Sequence, residues 1–136
     1  MASTKILHLS GDANGALDQT FGGSGKVVTP IGSGYDIVHS VAVQPDGRIV
    51  AAGETGNGGN YDFGVVRYNS DATLDTSFNG TGKVTTPINA SHDWGRSVAI
   101  QSDGKIVVAG DSYYEAPQSP ELAIVRYNAN GSMDTS

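Results

Sequence analysis

The fold is decided by a short stretch that reads QPDGRIVAAG at Gln44–Gly53 and returns as QSDGKIVVAG at Gln101–Gly110. Each copy places an Asp-Gly pair between two apolar runs. Asp-Gly is a strong signal for a tight turn between antiparallel strands, because both turn positions are expected to need a positive φ. The flanking runs are apolar at successive positions, which is typical of strands buried on both faces. The sequence therefore predicts two equivalent β-hairpins, 57 residues apart.

The repeat extends well beyond the hairpin. From Leu17 to Gly53, 21 of 37 residues are identical to those 57 positions further on. Phe63–Ser77 also matches Leu122–Ser136, with an offset of 59 because the loop after Gly110 is two residues longer than the loop after Gly53. Such a period indicates an architecture built from copies of one supersecondary unit.

Each repeat is predicted to contain four short strands. In chain order, with the two copies paired, they are Lys26–Ile31 and Lys83–Ile88, Ser40–Gln44 and Ser97–Gln101, Arg48–Gly53 and Lys105–Gly110, and Phe63–Tyr68 and Leu122–Tyr127. Four-stranded antiparallel units repeated in series are propeller blades. A β-solenoid is the alternative, but its coils are shorter and lack internal hairpins. We therefore expect an all-β fold with two four-stranded antiparallel propeller blades per chain and no long helix.

The domain division follows from this assignment. Residues 1–11 are expected to form a leader with an extra blade strand, 12–68 the first blade, 69–127 the second, and 128–136 the truncated start of a further repeat. The extra strand, Ile6–Ser10, duplicates the position of the fourth strand of a repeat. We expect it either to swap onto a neighbouring chain or to stay frayed.

Composition limits the classes of partner. The 136 residues carry a formal charge of −6 and have a pI near 4.7. This acidity argues against nucleic acid and anionic membranes, since both bind basic surfaces. No apolar run is long enough to span a bilayer, and the N-terminus lacks the features of a signal peptide. The absence of cysteine excludes disulfides and thiol catalysis.

A longer motif connects the repeats to a known family. Both copies contain L-D-x-x-F, then G-K-V, then S-V-A-x-Q-x-D-G-[KR]-I-V-x-A-G, and finally V-R-Y-N. This motif resembles the delta-60 repeat, a bacterial family of uncharacterised function regarded as propeller-forming, and the match covers nearly the whole chain from Ile6 onward. The resemblance implies tandem blades in secreted or surface proteins, and hence an extracellular or cell-surface location. It supplies no catalytic residues.

Two blades are fewer than a closed propeller needs. Rings close at about four to eight blades, and two blades alone leave broad apolar faces exposed. We therefore expect a homo-oligomer, with a trimer of about six blades as the favoured form. The alternative is that the chain is a fragment of a larger propeller.

The candidates for ligand binding lie mostly where the two copies differ. Trp94, Tyr113 and Tyr114 are predicted to form an aromatic platform of the kind that stacks on a sugar ring. The competing interpretation is that Trp94 is partly buried and seals the gap between blades. The full predicted set is Trp94, Arg96, Asp93, His39, Asp36, Tyr113 and Tyr114. For Asp36 and Asp93, the alternative is a structural carboxylate that accepts backbone N–H groups at a strand entrance.

Two arginines, Arg67 and Arg126, occur once per repeat beside an apolar strand. We expect them to be structural and to bind carboxylates or carbonyl groups of the next blade. Asp18, Asp75 and Asp134 are the candidate partners. A ligand-binding role is the alternative for both arginines.

Metal and catalytic sites are weakly indicated. Asp12, Asn14 and Asp18 form an oxygen-rich loop, but calcium takes about six to eight oxygens, so we expect neither a metal nor another cofactor. The GGSGKV loop lacks the hydroxyl residue that follows the lysine of a phosphate loop. The sequence contains no recognisable nucleophile or acid–base pair. We therefore expect a non-enzymatic structural or interaction module. A carbohydrate-binding, lectin-like propeller is the first alternative, and a fragment of a larger propeller enzyme is the second.

Overall fold

The computed structural model describes residues 14–114 and 119–136. These ranges contain the strands β1 (Asp36–Val43), β2 (Ile49–Gly56), β3 (Tyr61–Tyr68), β4 (Lys83–Thr86), β5 (Asp93–Ile100), β6 (Ile106–Tyr114) and β7 (Ser119–Tyr127). Among the described residues, there is no helix with the length and apolar character needed to cross a membrane. The predicted strand at Ile6–Ser10 and the calcium candidate Asp12 lie outside the described residues.

The strands form two antiparallel sheets. The first sheet has the order β1-β2-β3-β4, and the second, within the described ranges, has the order β5-β6-β7. In both sheets the strands lie side by side in chain order, as they do in propeller blades. The prediction of an all-β fold with two antiparallel blades is confirmed, whereas completion of a ring stays a prediction.

The sheets are offset by one strand from the repeats that the sequence suggested. Lys83–Ile88, predicted as the first strand of the second repeat, contributes β4, which pairs with β3 and completes the first sheet. In the first copy, Lys26–Ile31 is not a strand, and only Val27 takes part in an isolated bridge. In the second copy this segment pairs with the sheet that precedes it, and in the first copy no sheet precedes it within the described residues. In the described residues, the second sheet accordingly has three strands instead of the predicted four.

The Asp-Gly turns close the two hairpins, with a geometry that differs from the predicted one. Gly47 has a φ of 84°, but Asp46 is not among the residues with positive φ. The Gly47 N–H donates to the Gln44 carbonyl over 2.9 Å, and the Gln44 N–H donates to the Arg48 carbonyl over 2.8 Å. This pattern is a three-residue loop in which a type I turn is followed by a glycine bulge.

The two sheets stack face to face. We call the face of a sheet that points toward the next repeat its forward face, and the opposite face its rear face. One buried cluster joins the forward face of the first sheet to the rear face of the second. Its members are Val50, Ala52, Phe63, Val65, Phe78, Ile106, Val108, Ala123, Val125 and Tyr127. Burial of this apolar area is the main force that holds the sheets together.

A second buried cluster covers the rear face of the first sheet. It consists of Phe21, Ile49, Val66, Tyr68 and Ala72, with Val27, Ile31, Val41 and Leu74 packed against it. Phe21 and Phe78 are equivalent residues of the repeat, and both are buried against the rear face of the sheet that follows them. The first sheet is therefore covered on its forward face and partly covered on its rear face.

Candidate functional site

Strands β1 and β5 each carry a β-bulge at the same position of the repeat. The register with the neighbouring strand shifts between Val38 and Ser40 in β1, and between Gly95 and Ser97 in β5. The extra residues are His39 and Arg96, which therefore leave the regular alternation of the strand. Bulges re-aim side chains and are over-represented beside functional sites. The two bulge residues, His39 and Arg96, were both predicted from the sequence as ligand-binding residues.

Each bulge residue faces an acidic residue on the adjacent strand. The His39 Nε2 lies 2.9 Å from a carboxylate oxygen of Glu54, and the Arg96 Nε lies 3.1 Å from one of Asp111. The two pairs also adjoin, since Arg96 Nη1 lies 3.3 Å from His39 Nε2 and 3.8 Å from Glu54. The Glu54 side chain is buried, whereas those of Arg96 and Asp111 are 47% and 44% exposed. These four side chains, the bulge network, link the first sheet to the second.

A row of aromatic rings runs beside the bulge network. Tyr61 and His92 have ring centroids 5.4 Å apart, His92 stacks on Trp94 at 5.8 Å, and Trp94 contacts Tyr113 at 6.2 Å. The Arg96 guanidinium lies 5.6 Å from the centre of the Trp94 ring, within the range of a cation–π contact. Trp94 is half-buried. The predicted platform is therefore present in part, with His92 and Tyr61 as further members.

Tyr114 lies at the margin of this row. It is 39% exposed and, with Tyr113, lines an open depression of about 290 Å³. The other lining residues are Asn89, Ala90 and Ser91. An open depression of mixed polar and apolar lining, beside half-exposed aromatic rings, is a candidate site for a small ligand.

Asp36 and Asp93, also nominated as ligand-binding residues, are buried away from this surface. Asp36 accepts the N–H groups of Ile31 and Gly32 over 2.9 and 3.1 Å and the Thr55 hydroxyl over 2.6 Å. Asp93 makes the equivalent set of contacts, to Ile88, Asn89 and Ser112. These hydrogen bonds hold the first residue of β1 or β5 to the segment before it and to the adjacent strand. Both aspartates therefore have structural contacts and lie apart from the exposed candidate residues.

Arg67 lies between the sheets. Its Nε is 2.7 Å from an Asp75 carboxylate oxygen, and its Nη1 donates to the Ala129 carbonyl of the next repeat over 2.5 Å. Its guanidinium also lies 4.7 Å from the centre of the Phe78 ring. Burial raises the pKa of Asp75, but hydrogen bonds from Ser77 and the charge of Arg67 outweigh burial and leave that pKa below its ordinary value.

Arg126 is the equivalent residue of the second repeat. It pairs with Asp134 over 2.6 Å, and its side chain is 37% exposed, against 3% for Arg67. Hydrogen bonds from Lys105 and Ser136, with the charge of Arg126, hold the pKa of Asp134 well below its ordinary range. The third candidate partner, Asp18, accepts the N–H and hydroxyl of Thr20, and these bonds lower its pKa.

The oxygen-rich loops are built as turns. In each, an Asp or Asn side chain accepts the N–H and the hydroxyl of the residue two positions later. The pairs are Asp18 with Thr20, Asp71 with Thr73, Asp75 with Ser77, Asn130 with Ser132, and Asp134 with Ser136. Within residues 14–114 and 119–136, no three acidic or histidine side chains cluster as a metal would require. Asn14, the remaining calcium candidate, lies at the start of the described chain.

Glu54 and Asp111 are site residues that the sequence reasoning missed. Both begin the variable loops and both are acidic at the same position of the repeat. The sequence did contain a signal for them, because both copies have an acidic residue at this position although the loops otherwise differ. A negative charge kept in both copies indicates a similar partner in each. The partner itself was hidden, since the bulge that aims His39 or Arg96 at the acid is a property of strand pairing.

Sheets with strands in chain order, stacked through repeat-equivalent contacts, define the chain as a β-propeller repeat protein. The family described as "Domain of unknown function (DUF5122) beta-propeller" matches residues 44–78 and 101–136, just over half of the chain. The chain belongs to this family. Each matched segment begins at the Asp-Gly hairpin and runs through the third strand of a sheet into the Leu-Asp or Met-Asp turn. No curated protein matches the chain.

Proposed function

We propose that the chain is a non-enzymatic propeller module that assembles with further copies of itself through its blade faces. The supporting observation is the contrast between equivalent forward faces. Phe63 and Val65 of the first sheet are 0% exposed, whereas their equivalents Leu122 and Ile124 are 79% and 61% exposed. An exposed apolar surface of this kind marks an interaction site.

The assembly we favour is a homotrimer with a ring of about six blades. Repeat units of this type gain much of their stability from their neighbours, so a free blade face favours association. The finer assignment to the delta-60 repeat, and with it an extracellular or cell-surface location, also belongs to this proposal. It is supported by the specific motif that both copies share.

The solution mass tests self-assembly. Multi-angle light scattering at micromolar protein should give a multiple of the 14.0 kDa chain mass, with three chains as the favoured value. A mass of one chain at that concentration would contradict the proposal.

Calorimetric titration with calcium in the same buffer should give no heat of binding, because the loop oxygens already serve as turn acceptors.

A carbohydrate-binding propeller is the second candidate function. It is favoured by the half-buried Trp94 between Tyr113 and Arg96, beside the open depression of about 290 Å³. A glycan array is the test, with Trp94→Ala as the variant and Ile37→Ala, at the same position of the first repeat, as the matched control. Binding that Trp94→Ala alone abolishes supports this function, and no binding across the array contradicts it.

An enzymatic role is the remaining alternative, as part of a larger propeller enzyme. The charged side chains of the bulge network pair with one another. Ion pairs of this kind are common as structural networks. This pairing supports the non-enzymatic proposal.

A further inference from the structure

We propose that strand β7 of one copy receives residues Lys26–Thr29 of a second copy as the fourth strand of its sheet. The inference rests on the proposed self-assembly. It adds the segment that is exchanged, the sheet that accepts it and the register of the pairing. Three sets of repeat-equivalent contacts carry it.

The first set concerns the accepting sheet. In the first sheet, β4 pairs with β3, whereas β7, the equivalent of β3, is the last described strand of the second sheet. On the forward face, the apolar residues of β7 are exposed where the equivalent residues of β3 are buried. Even the arginine follows this rule, since the side chain of Arg126 is 37% exposed and that of Arg67 is 3% exposed. The second sheet therefore presents both an edge and an apolar face that match a covered surface elsewhere in the same molecule.

The second set concerns the donated segment. Residues 17–31 lie on the rear face of the first sheet as residues 74–88 lie on the rear face of the second. The N–H of Gly22 donates to the Asp71 carbonyl over 3.0 Å, and the N–H of Asn79, its equivalent, donates to the Asn130 carbonyl over 2.7 Å. Each segment thus uses the same backbone contact to dock on the sheet that follows it.

Side chains repeat this docking. The Tyr127 hydroxyl is 2.7 Å from the Thr86 hydroxyl. At the equivalent position, Thr29 lowers the pKa of Tyr68 against the rise that burial causes, so Thr29 lies beside the Tyr68 hydroxyl. The two linker segments therefore hold the same position relative to the following sheet. The two linker segments differ in the sheet that precedes them. For β4 this is the first sheet of the same chain. For Lys26–Thr29 it would be the second sheet of another copy.

The third set gives the register. Val65 lies opposite Val84, and Phe63 lies opposite Thr86. Transferred by the repeat offsets, Ile124 lies opposite Val27 of the second copy, and Leu122 lies opposite its Thr29. An edge strand with unpaired backbone groups is a ready template for such pairing.

A further contact supports this register. The Lys83 ammonium donates to the Pro30 carbonyl over 2.7 Å, although the two residues are 53 positions apart. In the assembly, Lys26 of the second copy would donate to the Pro87 carbonyl of the first. The donated segment is not free of other contacts, since Val27 takes part in an isolated bridge and the adjacent Gly25 also has a partner. Docking must displace contacts at this segment and replaces them with a continuous strand pair.

The resulting interface is heterologous, because the forward face of one copy meets the rear face of the next. Such interfaces close into rings when the rotation permits and otherwise grow into filaments. The propeller geometry of the two stacked sheets favours closure.

Disulfide trapping tests the register, and the cysteine-free chain makes the test clean. Four single variants are made: Val27→Cys, Thr29→Cys, Leu122→Cys and Ile124→Cys. They are mixed in pairs and oxidised, and the cross-linked dimers are quantified by mass spectrometry. The in-register mixtures, Val27→Cys with Ile124→Cys and Thr29→Cys with Leu122→Cys, should give about ten-fold more heterodimer than the two shifted mixtures, since opposed residues meet the distance limits of a disulfide.

Every variant appears in one matched and one shifted mixture, so a variant that folds poorly lowers both yields alike. Equal yields in matched and shifted mixtures, from protein whose scattering mass shows an oligomer, would overturn the exchanged strand and leave self-assembly standing. A single-chain mass for the unmodified protein would overturn both proposals.

Discussion

Arg67 and Arg126 show how one residue type acquires two roles from its position in the repeat. Both pair with an aspartate in the turn that follows their strand. Among the described residues, only Arg67 also donates to the next repeat and stacks over Phe78. A buried guanidinium without its partners is costly, whereas an exposed ion pair contributes little. The same residue is therefore structural at one site and available for an interface at the other.

Replacing Arg67 with alanine should lower the free energy of unfolding by about 3 kcal/mol, because the buried Asp75 loses its main partner. Arg48 limits this loss of stability, because its Nε also lies 3.0 Å from an Asp75 carboxylate oxygen. Arg126→Ala is the matched control and should cost less than about 1 kcal/mol at the lowest workable protein concentration. Urea denaturation measures both, and equal losses would contradict the inter-sheet role of Arg67.

Tyr127 should make the fold sensitive to alkaline pH. Burial raises its pKa from 10.0 to about 12. The unfolded chain therefore loses this proton at lower pH than the folded chain, so stability that is complete below about pH 10 is lost as the pH rises toward about 12. The loss should reach about 2 to 3 kcal/mol, measured by denaturant unfolding along the pH series.

Two variants isolate this effect from the hydrogen bond between Tyr127 and Thr86. Tyr127→Phe should flatten the alkaline decline, because the titrating hydroxyl is gone. Thr86→Val removes the hydrogen bond but keeps the phenol, so the decline should remain. Identical pH profiles for Tyr127→Phe and the unmodified chain would exclude Tyr127 as the source of the decline.

At the scale of the strand, the two bulges depend on the absence of a side chain on the opposing strand. A Cβ on Gly53 would overlap the Ile37 carbonyl oxygen, and one on Gly110 would overlap that of Trp94. The close backbone approach is what aims His39 and Arg96 at their acidic partners. Glycine is thus required here for space and not for a positive φ.

Gly53→Ala should therefore lower the free energy of unfolding by more than about 3 kcal/mol, since backbone atoms must move to admit the methyl group. Gly59→Ala is the control, because a Cβ there meets no atom within 4 Å, and it should change stability by less than about 0.5 kcal/mol. Thermal unfolding followed by circular dichroism measures both. A Gly53→Ala protein as stable as Gly59→Ala would show that the bulge can relax.

The hairpins and the repeat could be predicted from the sequence because their signals are local. The turn type could not, since Asp46 and Gly47 suit both a two-residue and a three-residue loop. The grouping of the strands into sheets could not be predicted either. A period shows how long the unit is but not where a sheet begins, so Lys83–Thr86 was assigned to the wrong side of the boundary.

The candidate site was predictable in its parts and not in its arrangement. Differences between the copies indicated Trp94, His39 and Arg96, which the structure brings close together. The partners Glu54 and Asp111 depend on the bulge register, which arises from pairing between strands. Sequence reasoning finds residues that vary or repeat, but it does not see a register shift.

At the scale of the whole molecule, the linear order of the repeat produces two different ends. The rear face of the first sheet is partly covered by residues 17–31, and the forward face of the second sheet is exposed. Val43 illustrates the rear end. It is 61% exposed, whereas its equivalent Ile100 packs against the core between the sheets. Assembly by unlike faces therefore requires both ends of every chain.

This requirement can be tested by blocking one end at a time. Val43 and Ile124 have equal exposure, 61% each, so glutamate at either position should leave the fold intact. In the proposed assembly, Ile124→Glu blocks the forward face and Val43→Glu blocks the rear face, because a buried unpaired charge is strongly unfavourable. Each variant alone should have the mass of a single chain by light scattering.

An equimolar mixture of the two variants should instead contain a dimer, because each retains the face that the other has lost. The dimer should not grow, since its two outer faces both carry the blocking glutamate. An assembly in which identical faces meet behaves differently. One variant would then still dimerise by itself, and mixing would add nothing. The masses of the two separate variants and of their mixture thus distinguish head-to-tail assembly from every symmetric pairing of these faces.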